Sequence, residues 1–204
     1  MPNSLNIDLA PFSQFIGVFL AKNQHLNLVS HAQEAAFGVR HVLDSLALTM
    51  LVDQLKLNLN GASLLDLGSG GGLPALPLAI YYPQLSVTAL DSIHKKVAAI
   101  QEMITALKLA NITAVCARAE TLQQTFNIVT ARAVAPLSRL APLASRLLVK
   151  GGIFAAYKGP KLEEELEVAR GTLEKLNLQL ITKISYTLPV PEHPVRYIAG
   201  FRKV

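Results

Sequence analysis

The chain has 204 residues, enough for one domain with a sizeable core and a small extension. It is 51% hydrophobic with a mean hydropathy of +0.36, yet its longest apolar run, Phe15–Ala21, is closed by Lys22, and a bilayer span needs about 20 such residues. That excludes a transmembrane helix and favours an α/β domain whose parallel strands are buried on both faces. The net charge of +5 is uneven: residues 1–102 carry five Lys and Arg against seven Asp and Glu, while the rest of the chain carries fourteen against seven. A basic second half suits a polyanionic partner such as nucleic acid, and equally an ordinary solubilising surface.

From Asp8 to Gln54 the pattern is helical. Phe12, Phe15, Ile16, Phe19 and Leu20 recur at spacings of three and four, Asn27–Ser30 breaks the pattern, and a second stripe runs through Val39, Val42, Leu43, Leu46 and Met50. Residues 1–60 are expected to form a helical cap, with Asn58–Gly61 as the connector to a second unit, residues 61–204. Strands are predicted at Leu64–Leu67, Ser86–Leu90, Thr113–Cys116, Asn127–Thr130 and Ile153–Tyr157. Helices are predicted at Leu76–Tyr81, closed by Pro83, at His94–Leu107, and at Leu137–Leu148, stopped by Gly151–Gly152. Pro160 opens a further helix whose first turns hold Glu163, Glu164, Glu165 and Glu167, acids that suit the positive end of the helix dipole. Two late strands, Gln179–Thr187 and Arg196–Phe201, imply an antiparallel hairpin. The whole reads as a doubly wound, mainly parallel sheet of seven strands. The single cysteine, Cys116, is expected as a small buried residue in its strand; it excludes an intrachain disulfide and a multi-cysteine metal site, and no metal site is expected. No basic stretch precedes an apolar run at the N-terminus, so no secretory leader is visible and the cytoplasm is the expected compartment.

The first strand runs into Asp66-Leu67-Gly68-Ser69-Gly70-Gly71-Gly72-Leu73-Pro74. Ligands of an open α/β sheet bind outside the carboxyl ends of its strands, and glycines there admit close backbone approach. Asp91 ends the next strand, where a carboxylate can accept from both hydroxyls of a ribose. Gly70-Gly71-Gly72-Leu73-Pro74-Ala75 also satisfies a dinucleotide fingerprint. Two features favour S-adenosylmethionine instead. Asp66 suits a cationic sulfonium and amino group but repels a pyrophosphate, and Pro74 lacks the N–H that a phosphate would use.

Several segments together resemble one family, the bacterial guanine-N7 methyltransferases of small-subunit ribosomal RNA (RsmG, or GidB). They are Asn27-Leu28-Val29-Ser30, Arg40-His41-Val42-Leu43-Asp44-Ser45-Leu46, Leu65–Leu78, Leu90-Asp91-Ser92, Arg118-Ala119-Glu120, Thr130-Ala131-Arg132-Ala133-Val134-Ala135 and Tyr157-Lys158-Gly159. They keep the family's order from about residue 25 onward. Gly72, Ala75 and Thr130 depart from it in small ways, and the extreme N-terminus and Leu188–Pro194 match weakly.

The resemblance implies a Rossmann-like class I methyltransferase that transfers a methyl group from S-adenosylmethionine to N7 of one guanine in 16S ribosomal RNA. Its partner is small-subunit ribosomal RNA, naked or within an assembling subunit, and a monomer is expected. The donor would be held by Asp66, Gly68, Gly70, Leu73, Asp91, Ser92, Ala119, Glu120 and Arg132. Arg132, His41, Arg40 and Lys158 are the candidates at the guanine, with Arg196 nearby. N7 carries a free lone pair at neutral pH, so its methylation needs positioning rather than a general base. Consistent with that, no Asn-Pro-Pro-Tyr motif or catalytic cysteine pair follows the fourth strand; Arg132 stands there and can hold a base edge or a phosphate.

Each candidate also has a plainer reading. His41 suits a packing histidine, Arg40 and Asp44 an i,i+4 ion pair, Lys158 a solvated turn and Glu120 surface charge. Arg139, Arg146, Lys150 and Lys161 suit a solvated basic face. A small-molecule methyltransferase and a non-catalytic RNA-binding assembly factor on the same fold are the alternatives.

Overall fold

The computed structural model describes residues 3–191 and 195–204, with the backbone alone at Ser4. Its centre is one sheet, made of β1 (Asn3–Ser4), β2 (Ser63–Leu67), β3 (Ser86–Asp91), β4 (Ile112–Cys116), β5 (Phe126–Arg132), β6 (Leu148–Lys158), β7 (Leu178–Thr187) and β8 (Val195–Lys203). The strand order is β1-β7-β8-β6-β5-β2-β3-β4, parallel except for β8, which runs antiparallel to both β6 and β7. The expected seven strands are present, and the two-residue β1 extends the sheet beside β7.

Strand alternation divides the apolar residues between two layers. Leu64, Ile128, Ile153, Ala155 and Tyr157 face one core, which also holds Phe12, Phe15, Phe19, Leu46 and Leu51. Leu65, Val129, Phe154 and Ala156 face the other, closed by α5 (Leu137–Leu147) and α6 (Leu162–Lys175). Helices α3 (Ala75–Tyr81) and α4 (His94–Leu107) pack with the first layer. The N-terminal segment therefore shares one apolar core with the sheet.

That segment is less regular than its apolar spacing predicts. It comprises a 3-10 turn at Ala10–Phe12, α1 (Ser13–Leu26), a 3-10 stretch at His31–Ala36, a π-turn at Gly38–Leu43 and α2 (Leu48–Leu55). The π-turn replaces the regular helix on which Arg40 and Asp44 would have formed an i,i+4 pair. Three rings, with Phe19 stacked on Phe37 and Phe15 edge-on to Phe19, fix the packing of α1 on this turn.

Two further expectations need correction. Gly151–Gly152 do not stop a helix: α5 ends at Leu147, and both glycines lie inside β6, where the register against β5 slips between Phe126–Leu148 and Ile128–Ile153. A glycine pair serves a bulged strand as well as a helix end. Cys116 is exposed rather than buried, because β4 is the edge of the sheet and the alternation turns its last side chain outward.

Candidate active site

The sheet reverses its order between β2 and β5, and the crevice at that switch point is where an α/β sheet places its ligand. A cavity of about 490 Å³ opens there. Gly68, Asp91, Ser92, Ala119 and Glu120 line it, joined by Ile93, Lys96, Arg118, Ala133 and Val134. Five residues expected around a donor thus meet in one cavity contributed by β2, β3, the turn after β4 and the end of β5. Its size suits a ligand of S-adenosylmethionine's class.

The glycine loop is shaped by its backbone. Gly68 (φ +71°) and Gly72 (φ +87°) adopt left-handed conformations; an added Cβ would stand 2.8 Å from Val134 Cγ2 at the first and 2.5 Å from Leu76 Cδ1 at the second. The cap rests on the same loop, since a Cβ at Gly71 would stand 3.1 Å from the Phe19 ring. Asp91 draws the loop in: Gly70 N–H donates to Oδ2 (2.8 Å) and Ile93 N–H to Oδ1 (2.9 Å). Gly70 therefore serves the loop through Asp91, outside the cavity lining, and Leu73 is buried beneath it.

Asp66 lies under the loop, fully buried. Thr130 Oγ1 donates to its Oδ1 (2.9 Å), while Oδ2 is buried without a hydrogen-bond partner. Burial raises its pKa to about 6, against the smaller lowering effects of hydrogen bonds from Ser69 and Thr130 and of the Arg132 charge. A desolvated carboxylate with one open oxygen fits a cationic ligand, so the donor set suits S-adenosylmethionine on its own chemistry.

A second cavity of about 300 Å³ adjoins the first, and Ala133 lines both. Ala133 itself has φ +55°, a conformation rare for a residue with a Cβ, set at the seam between the cavities. Arg132, Lys158 and Arg196 line this second cavity, with Asp44, Tyr157 and Tyr186. Arg132 thus turns toward the second cavity rather than the donor cavity: its Nη1 donates to Asp44 Oδ2 (3.0 Å) and to the His41 carbonyl (3.2 Å). Arg196 Nη1 donates to the same Asp44 oxygen (3.0 Å), and the Tyr186 hydroxyl to Oδ1 (2.7 Å). Lys158 is nearly buried, donating to the Ala135 carbonyl (3.0 Å) and to Glu165 Oε2 (2.7 Å), an oxygen that also caps Leu137 N–H at the start of α5.

The His41 ring packs against Phe37 and lies 3.0 Å from Gln33 Oε1 through Nε2. Burial first, then the Arg132 charge, lowers its pKa to about 4, so the ring is neutral near pH 7. Its backbone carbonyl, not its ring, is what meets Arg132. Arg40 sits half-buried on the same π-turn. Arg146, read as solvated surface, braces the donor cavity by donating to the carbonyls of Ala119 and Leu122 (2.7 Å to the latter).

Sequence reasoning missed Ala133, Tyr157 and Tyr186 as site residues. Tyr157 carried a signal, being next to Lys158 on one strand; Tyr186 becomes visible only when the hairpin register sets it opposite Arg196.

A seven-strand core with one reversed strand, a glycine loop at the switch point and an acid closing the second strand define a Rossmann-like methyltransferase. Solved structures share this fold at low identity. M. jannaschii TYW2 in complex with AdoMet superposes with a TM-score of 0.58 at 17% identity, over 77% of this chain and 76% of that one. The [4+2]-cyclase SpnF gives 0.60 at 18%, over 79% and 80%, so the fold by itself does not name a reaction.

Sequence relatives are closer. The chain matches the family described as "GidB: rRNA small subunit methyltransferase G" over residues 8–186. Ribosomal RNA small subunit methyltransferase G of Deinococcus radiodurans is 40% identical across 92% of this chain and 77% of its own length, and that of Bacillus subtilis is 34% identical across 96% and 82%. The chain belongs to the rRNA small subunit methyltransferase G family, whose methyl donor is S-adenosylmethionine. No helix among the described residues is long and apolar enough to cross a membrane.

Proposed function

We propose that the protein methylates N7 of one guanine in 16S ribosomal RNA, as a cytoplasmic monomer in which residues 1–60 cap the catalytic domain, residues 61–204. The observation that carries this reading is that the second cavity, among the described residues, holds no free base. Its one carboxylate, Asp44, already accepts three hydrogen bonds, and burial pushes the hydroxyls of Tyr157 and Tyr186 well above the usual tyrosine range. An acceptor that must first lose a proton finds no free base among the described residues of this lining. A guanine N7, with its lone pair ready, needs only placement and desolvation.

Gly68, Asp91, Ser92, Ala119 and Glu120 would hold the donor, with Asp91 on the ribose, while Asp66, buried beneath the loop and outside the cavity lining, would act on the donor's cationic end through its charge. When bound, S-adenosylmethionine supplies an electrophilic methyl group. Arg132 and Arg196 would hold the nucleotide without occupying N7, by gripping O6 or a phosphate; a bidentate O6/N7 clamp would block the reacting atom. Lys158 ties the end of β6 to α6 and to the turn before α5, and the basic second half of the chain would meet the RNA backbone.

The test is incubation of unmodified small-subunit RNA and of assembling particles with the protein and a methyl-labelled donor. Nucleoside mass spectrometry should find 7-methylguanosine. Label on another atom, or on a small molecule alone, overturns the assignment, and donor binding with no transfer points to an assembly factor.

A further inference from the structure

We propose that Asp44 is a positioning residue for methyl transfer: its buried carboxylate orders two guanidinium groups at the acceptor cavity and offsets one of their charges as the base becomes cationic. The inference rests on the guanine-N7 reading.

The geometry comes first. Asp44 is 2% exposed at the end of the cap's π-turn, and it is bound from three strands: by Arg132 on β5, Tyr186 on β7 and Arg196 on β8. Two of these contacts share one oxygen, so both arginines converge on a single point of the cavity wall. Neither side chain is held by a second carboxylate among the described residues. Arg196 Nε is buried and has no hydrogen-bond partner, which leaves this guanidinium with a donor unused by the protein.

Charge comes second. Among the described residues the cavity lining carries three cations, Arg132, Lys158 and Arg196, against one carboxylate, Asp44. Lys158 is separately matched by Glu165 from α6, outside the cavity. A pair kept only for packing would be compensated one for one; here one buried anion serves two guanidiniums, leaving a cationic excess.

The reaction explains why that excess must be small. As guanine N7 donates its lone pair to the methyl carbon, the N–C bond forms, the S–C bond breaks, and its electron pair stays on sulfur. No proton moves. One positive charge therefore leaves the donor cavity and arrives on the ring in the second cavity. The two guanidiniums there oppose its arrival, and the low dielectric of a closed site strengthens that opposition. Asp44 is the lining group of opposite sign.

Asp44→Asn keeps the shape and one acceptor oxygen while deleting the charge. With both RNA and donor saturating, the transfer rate should fall at least tenfold. RNA affinity should hold or tighten, donor affinity should stay within twofold, and the melting temperature should fall by only a few degrees. A rate within twofold of the native protein, or a loss that saturating RNA restores, overturns the proposal. Asp44→Glu retains the charge and decides the matter if the Asn variant does not fold: a rate within threefold supports it, and a tenfold loss at unchanged melting temperature overturns it. The identity of the methylated atom in the native protein's product bears on the guanine-N7 reading alone, so the two can fail separately.

Discussion

The cavity proposed for the donor and the cavity proposed for the acceptor meet at Ala133, yet they are built in opposite ways. The donor side is made of short-range backbone geometry: one glycine loop, the acid that ends the next strand, and a turn after the third. Each part sits at the carboxyl end of a strand and is held largely by N–H and C=O groups, such as Gly70 on Asp91 and Arg146 on the 119–122 turn. The second cavity is made of side chains from four strands, at positions 132, 158, 186 and 196, joined to Asp44 at the end of the N-terminal π-turn only by the completed fold. A backbone-built site tolerates changes in side chains but not in conformation; a side-chain-built site is sensitive to single charges.

That contrast orders the expected effects. The largest on donor binding is Asp91→Ala, which removes two loop hydrogen bonds and the proposed ribose acceptor together. Donor affinity measured by calorimetry should weaken by about 100-fold, near 2.7 kcal/mol, and an unchanged affinity would break the assignment of the donor side. Gly72→Ala acts on stability instead, since the left-handed conformation costs a residue with a Cβ about 1–2 kcal/mol before Leu76 has to move. Thermal unfolding should show a loss of roughly 4–8 °C for about 2 kcal/mol in a chain of this size.

Asp66 sharpens the comparison through pH. Its folded pKa, about 6, lies above its ordinary value of 3.8, so the folded state holds this proton more tightly than the unfolded chain does. Its contribution to stability is full below about pH 4 and is lost as pH rises through 6. Asp66→Asn should therefore be more stable than the native protein at pH 7, by up to about 3 kcal/mol, with the gap closing toward pH 4. A cationic donor favours the ionised form, so donor affinity should tighten between pH 5 and pH 7 in the native protein and stay flat in the Asn variant. The same slope in both would remove Asp66 from the donor site. Smallest is Arg146→Ala, which frees the exposed 119–122 turn and should weaken donor affinity two- to threefold without changing RNA affinity at fixed salt.

The same contrast explains what could be read from the chain. Leu64–Leu67, the glycine loop, Asp91 and the Ala119-Glu120 turn were legible because strand period and turn chemistry are local. The direction of Arg132 was not: alternation places it at the end of β5, but only the π-turn, bringing Asp44 and the His41 carbonyl beside it, draws it to the acceptor side. Gly151–Gly152 read as a helix stop because a bulge and a cap ask the same residue for the same freedom. Cys116 read as buried because sequence does not reveal which strand forms the edge.

The central claim, one N7-methylated guanine in 16S RNA, is tested most directly in cells. Mass spectrometric mapping of 16S RNA from strains with and without this protein should show a single 7-methylguanosine lost on deletion, restored by the native protein and not by Asp91→Ala. An unchanged set of methylated guanines in the deletion strain would contradict it.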